Sequence, residues 1–185
     1  MTSSPDDRDA LASLLTGTGN RDQRAFAELY QRVGGRLYGV CLRMMQDRHE
    51  AEDVLQDVFT TVWRRADTFD PARASAMTWL VTLTRNKAID RLRQRREGQL
   101  DDPIDIDRMT DETPGPAADA QADQQYVRLR NCLEALEPKQ RRSVREAFFT
   151  GATYKELAAR CQVPLPTLKS WIRRGLMQLR ECLES

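Results

Sequence analysis

In residues 153–182, TYKELAARCQVPLPTLKSWIRRGLMQLREC, a short helix beginning near Tyr154 meets a turn at Gln162 to Leu165, and a longer helix starts near Pro166. Proline suits that first turn, because its missing N–H would find no intrahelical acceptor there. Helix, tight turn, helix is the arrangement that lays a second helix in the DNA major groove. At about 100° per residue from Thr167, the residues Leu168, Trp171, Ile172, Gly175, Leu176, Leu179 and Leu183 fall in one arc of roughly 40° to 180°. Thr167, Lys169, Ser170, Arg173, Arg174, Met177 and Arg180 fill the remainder. One face is built to pack and the other is basic. Any amphipathic helix divides this way; what favours DNA reading is the preceding helix, whose Leu157 and Ala158 are poised to pack on it. Thr167, Ser170 and Arg174 near the helix start reach base edges. Lys169 and Arg173 suit phosphates or bases, and phosphate contacts carry most of the affinity.

Working upstream, helical periodicity recurs. Phe26, Leu29, Tyr30, Val33, Leu37, Tyr38, Cys41, Met44 and Met45 follow at spacings of three and four, although Gly34 and Gly35 weaken the continuity of that run. Val54, Leu55, Val58, Phe59, Val62 and Trp63 repeat the pattern, as do Met77, Leu80, Val81, Thr84, Ala88, Ile89 and Leu92. Val127 to Leu136 and Val144 to Phe149 add two more segments, with Pro138 suited to a helix start. No β alternation is visible. The fold expected is all-α.

Charge divides the chain further. Net charge is +1, from 29 basic and 28 acidic residues among 185, yet the signs segregate. Arg85 to Arg96 is a basic block, Glu97 to Asp123 an acidic one, and Lys139 to Ser185 is basic again. DDPIDIDRMTDETPGPAADAQAD, within the acidic block, has Pro103, Pro114, Gly115 and Pro116, few large apolar residues and no helical period. It reads as a flexible acidic linker whose acidity solvates it. The expected layout is an N-terminal tail at 1–23, a helical domain at 24–96, the linker at 97–125 and a helix-turn-helix domain at 126–185.

No run approaches the roughly 18 apolar residues of a membrane span, and MTSSPDDRDA lacks a signal peptide's basic and apolar regions, so the expected compartment is the cytoplasm. Cys41, Cys132, Cys161 and Cys182 lie far apart, with His49 as the sole histidine. Neither a metal site nor a disulfide is expected, and the cysteines read as buried and unreactive. No catalytic constellation appears: His49 has no nearby Ser or Cys partner, and no Gly-rich phosphate loop is present. No cofactor and no small-molecule substrate are expected.

The N-terminal half carries two further surfaces. RNKAIDRLRQRR, residues 85–96, continues the apolar face of MTWLVTL, so its cations sit on a core-anchored helix suited to a duplex backbone. Phe69 and Trp79 beside it suit unstacked single-stranded bases, although Trp79 fits core packing equally well. Glu50, Glu52, Asp53 and Asp57 form an acidic surface that fits a basic protein partner or plain solvation.

HEAEDVLQDVFTTVWRRADTFDP (49–71), MTWLVTLTRNKAIDRLRQRR (77–96) and TYKELAARCQVPLPTLKSWIRRGLMQLRECL (153–183) resemble the core-binding, promoter-melting and helix-turn-helix segments of bacterial sigma factors, specifically the extracytoplasmic-function (ECF) group. The resemblance spans about 24–96 and 126–183 and keeps the family's motif order. It implies a noncatalytic subunit that binds core RNA polymerase, melts −10 DNA, reads −35 DNA and is held by an anti-sigma factor, often membrane-attached. Carried over by position, polymerase binding falls on Glu52, Asp53, Val54, Gln56, Asp57, Phe59 and Trp63. The −10 contacts fall on Phe69, Asp70, Asn86, Lys87, Asp90, Arg91 and Arg93, and the −35 contacts on Pro166, Thr167, Lys169, Ser170, Arg173 and Arg174. Asp90 departs in kind, since a carboxylate only accepts hydrogen bonds; it selects a base with an exposed amino group or caps a local network. Pro166 stands where the family often has a small residue, and Trp171, at the edge of the packing arc, where a basic one is common.

Two rival classes remain. An autonomous helix-turn-helix regulator needs a dimerisation segment, which is missing here. A purely protein-binding adaptor has no need of two basic helices.

Overall fold

The computed structural model describes residues 5–98 and 120–185. They contain eight α-helices and one 3-10 turn, with no strand among the described residues. The chain separates into two compact units at 100/101. The greater part of the expected acidic linker, 99–119, lies outside the described residues.

The first unit holds α1 (Pro5–Gly19), α2 (Gln23–Met45), α3 (Arg48–Arg65) and α4 (Ala76–Gly98), with the 3-10 turn at Ala66–Thr68. Residues 5–19 were expected as tail, but α1 buries Leu11, Leu15 and Thr18 in the unit's core. Its end approaches the 3-10 turn so closely that a Cβ on Gly19 would meet the Asp67 backbone nitrogen at 2.9 Å. Asp22 caps α2 by accepting from the Arg24 and Ala25 N–H groups at 2.8 and 3.2 Å. Helix α2 runs unbroken through Gly34 and Gly35, because Leu29, Val33, Leu37, Cys41 and Met44 bury one continuous stripe. Core packing outweighs the roughly 1 kcal/mol that each glycine costs a helix interior. Asp47 caps α3 through the Glu50 N–H at 2.9 Å. Leu80, Thr84, Ala88, Ile89 and Leu92 of α4 close the core, with the Thr84 hydroxyl donating to the Leu80 carbonyl at 2.8 Å. Burial of that hydroxyl therefore leaves no unmet donor.

The second unit holds α5 (Ala120–Glu134), α6 (Pro138–Phe149), α7 (Tyr154–Arg160) and α8 (Leu165–Glu184). Helix α5 thus begins inside the stretch expected as linker. Thr153 and Glu156 form a reciprocal capping box at the start of α7, a T-x-x-E signal that the sequence reading passed over. Gln162 turns the chain in a left-handed conformation, φ 53°, and the Val163 N–H bonds back to the Ala158 carbonyl at 3.0 Å. Leu157, Ala158, Leu168 and Ile172 pack α7 onto α8 as expected. Helices α6 and α8 approach closely at Gly175, where a Cβ would sit 3.0 Å from the Val144 methyl.

The cysteine expectation is overturned. Cys132 on α5 and Cys182 on α8 form a disulfide, with Cα atoms 5.8 Å apart across a sequence separation of 50. Spacing along the chain carried no hint of it; only the packing of α5 against the end of α8 brings the two together. The predicted packing arc of α8 also narrows. Leu168, Ile172, Gly175 and Leu179 are buried and Trp171 is half-buried, but Leu176 and Leu183 are exposed. Cys182, bridged to Cys132, joins that cluster at the C-terminal end of the buried face.

Candidate functional site

On the first unit, α2 and α3 leave an open groove of about 730 Å³ between them. Its floor is aromatic: Phe26 meets Phe59 and Trp63 edge-on at 6.0 and 5.2 Å, and Tyr30 lies 4.6 Å from Phe59. Gln23, Glu52, Gln56 and Thr60 supply polar rims. Arg21 stands behind it, donating to the Trp63 carbonyl at 2.5 Å with its guanidinium 5.6 Å from the indole centroid. That contact holds the Trp63 end of the groove in place.

Of the residues assigned to polymerase binding, Glu52, Gln56, Phe59 and Trp63 line this groove. Val54 does not: it is 2% exposed and belongs to the core. Asp53 and Asp57 are exposed but do not line the groove, and Asp53 pairs with Arg91 of α4 instead. The α2 side, Phe26 and Tyr30, went unrecognised because their i, i+4 spacing read as core. Tyr30 is in fact 49% exposed.

On α4, Trp79, Asn86 and Asp90 fall within about 40° of one another at about 100° per residue, and Arg93 is close to them. Asn86, Asp90 and Arg93 are exposed, whereas Lys87 is half-buried. Phe69 packs edge-on against Trp79 at 6.2 Å, both half-buried, so the two aromatics form a partly open platform. The Asp70 carboxylate accepts the Ala72 N–H at 2.9 Å, which shapes the loop below that platform. Arg91 and Arg95 emerge on another flank and meet Asp53 and Glu50 of α3 at 3.7 and 3.3 Å. The acidic and basic surfaces read separately in the sequence are therefore in contact.

On α8, Pro166, Lys169, Arg173 and Arg174 are exposed, and Thr167 and Ser170 are half-buried. Arg174 donates to the Ser170 hydroxyl at 2.9 Å, which aligns its guanidinium along the helix. Trp171 packs on the buried cluster with the Lys139 ammonium 5.7 Å from its ring centroid.

Residues 29–97 match the Sigma-70 region 2 family and residues 126–179 the Sigma-70 region 4 family. The ECF RNA polymerase sigma factor SigK of Mycobacterium tuberculosis (strain ATCC 25618 / H37Rv) is 35% identical over 100% of this chain and 99% of its own. The chain belongs to the ECF RNA polymerase sigma factors. Another relative, the ECF RNA polymerase sigma factor RpoE of Cereibacter sphaeroides, is 38% identical over 98% of both chains. Among solved structures, Rhodobacter sphaeroides SigE in complex with the anti-sigma ChrR is 34% identical, covers 94% of this chain and 98% of its own, and has a TM-score of 0.48. As a sigma factor the chain is a transcription initiation factor whose partners are core RNA polymerase and promoter DNA.

This sigma factor keeps two free thiols, Cys41 and Cys161. Burial pushes the Cys41 thiol up to about 12, and burial, followed by the nearby Glu146 carboxylate, raises Cys161. Both stay protonated near neutrality, where the thiolate is the reactive form. Iodoacetamide at pH 8 is expected to leave Cys41 unlabelled in the folded chain and to label it fully in urea, as read by peptide mass mapping, which separates it from Cys161. No helix among the described residues is long and apolar enough to cross a membrane.

Proposed function

We propose that this sigma factor docks on core RNA polymerase through the aromatic groove of α2 and α3, melts and holds −10 DNA with the Trp79, Asn86 and Asp90 flank of α4, and reads −35 DNA with α8. The observation that carries the reading is the pairing of a region 2 match with a region 4 match on separate helical units, each presenting cations on a helix whose other face is packed. An apolar aromatic groove rimmed by glutamate and glutamines suits a partner helix with apolar anchors and basic flanks. Exposed amide and carboxylate groups beside an aromatic pair suit an unstacked base, taken by stacking and by its hydrogen-bonding edge. Catalysis belongs to the polymerase, and the chain acts with it in the cytoplasm. Control by an anti-sigma factor is part of the proposal and rests on family membership.

Run-off transcription from DNA of the source organism, with bacterial core polymerase and with or without this chain, is the test. Discrete new transcripts sharing two spaced upstream elements are the expected result. Tight sequence-specific DNA binding by the chain alone, with no new transcripts, would instead point to an autonomous regulator. Within the same assay, Trp63→Ala is expected to weaken polymerase binding roughly thirtyfold, the loss typical of an aromatic anchor of about 2 kcal/mol, while the fold persists.

A further inference from the structure

Glu50 and Asp53 lie three residues apart on α3, and Arg91 and Arg95 four apart on α4, so each pair shares a helix face. The faces meet as two rungs: Asp53 Oδ2 to Arg91 Nη2 at 3.7 Å, and Arg95 Nη1 donating to Glu50 Oε2 at 3.3 Å. Both rungs are open to solvent, with side-chain exposures of 45% and 65% for Arg91 and Asp53, and 51% and 27% for Arg95 and Glu50. A guanidinium binds a carboxylate and a phosphate through the same fork of N–H donors. A carboxylate already paired with that guanidinium, by a hydrogen bond at Arg95 and as an ion pair at Arg91, competes with an arriving DNA backbone.

We infer that Glu50 and Asp53 are built-in counter-ions of the DNA helix: by occupying Arg95 and Arg91 they hold down the affinity of the free chain for DNA phosphates. The inference rests on α4 being a DNA surface, as proposed above, and extends that surface from the Trp79, Asn86 and Asp90 flank to the neighbouring flank that carries Arg91 and Arg95. It assigns the two acids a role in discrimination, since nonspecific affinity is mostly phosphate contact and is what the rungs reduce. A basic group that took the carboxylates would release the arginines.

The experiment titrates the full chain into a fluorescein-labelled random-sequence duplex at low salt and reads anisotropy. Each exposed ion pair is worth up to about fivefold, so Glu50→Gln with Asp53→Asn is expected to tighten binding about tenfold, by an amount that shrinks as salt is added. In a chain also carrying Arg91→Ala and Arg95→Ala, the gain is expected to vanish, because the acids then have nothing to release. No gain in the first variant overturns the proposal. So does an equal gain without the arginines, which would be bulk charge acting at a distance. If the arginine substitutions fail to weaken binding even with the acids neutralised, the Arg91 and Arg95 flank of α4 does not meet DNA and the counter-ions fall, whereas the functional reading, which rests on the Trp79, Asn86 and Asp90 flank, stands or falls with the run-off transcription. If the arginine substitutions weaken binding and the acid substitutions change nothing, only the counter-ion role falls. Glu50→Gln alone isolates the Arg95 rung, and thermal melting of each variant checks the fold.

Discussion

Reduction of the Cys132–Cys182 bond, or Cys132→Ser, should cost the second helical unit about 4 kcal/mol of stability. The bond closes a loop with a sequence separation of 50, and loop-closure entropy removed from the unfolded chain gives that figure. A unit this small has little to spare, since whole domains are stable by only about 5–15 kcal/mol. The loss falls on the helix proposed to read the −35 element: Cys182 sits on α8, one turn beyond Leu179, in the cluster that anchors α8 to α5. A urea titration followed by helical circular dichroism, with and without reductant, should show the transition of this unit move to lower urea while that of the first unit stays put. Cys41→Ser should retain the whole reductant effect, since Cys41 is a free thiol in the other unit. An unchanged midpoint would mean the bridge does not constrain unfolding.

The second large effect is on promoter reading. Arg173→Ala with Arg174→Ala should weaken binding of the −35 duplex about a hundredfold, at roughly 1–3 kcal/mol per arginine. Both side chains are exposed on α8, and the Ser170 hydroxyl holds Arg174 at 2.9 Å, so little ordering is needed on binding. If both neutralise phosphates, the log–log dependence on salt should flatten by about two units. Anisotropy titrations across a salt series read both quantities. Lost affinity with an unchanged salt slope would place the arginines on bases, and no loss at all would remove α8 from the −35 contact. Affinity for core polymerase through the groove should stay as it is. Asp53→Ala is a poor complement to this experiment, because it removes a docking candidate and frees Arg91 at once. Trp63→Ala separates docking from DNA binding more cleanly.

The helical reading succeeded where one helix's own periodicity carried the information. The α7–α8 stretch is the clearest instance: Leu157, Ala158, Leu168 and Ile172, picked by spacing, are the ones that pack. It failed where a residue's fate depends on a neighbour distant in sequence. Val54 was assigned to docking by position, but its angle on α3 points it into the core at 2% exposure. Phe26 and Tyr30 were read as core, and the neighbouring helix leaves them lining a groove. Helix α1 gives no clear periodic signal because its apolar stripe is short, with Leu11 and Leu15 as its buried leucines. Its order comes from packing rather than from propensity.

What the sequence alone determined here is what repeats locally: helical period, the basic face of α8, the segregated charge blocks, and the motif order that marks an ECF sigma factor. Each of these depends on residues within a few turns of one another, and a linear chain displays them directly. Tertiary structure decided the pairings between segments: the Cys132–Cys182 bridge, the aromatic groove of α2 and α3, and the rungs joining Glu50 and Asp53 to Arg95 and Arg91. Those depend on which helix faces meet and at what register. Core packing selects that register, and spacing along the chain does not encode it.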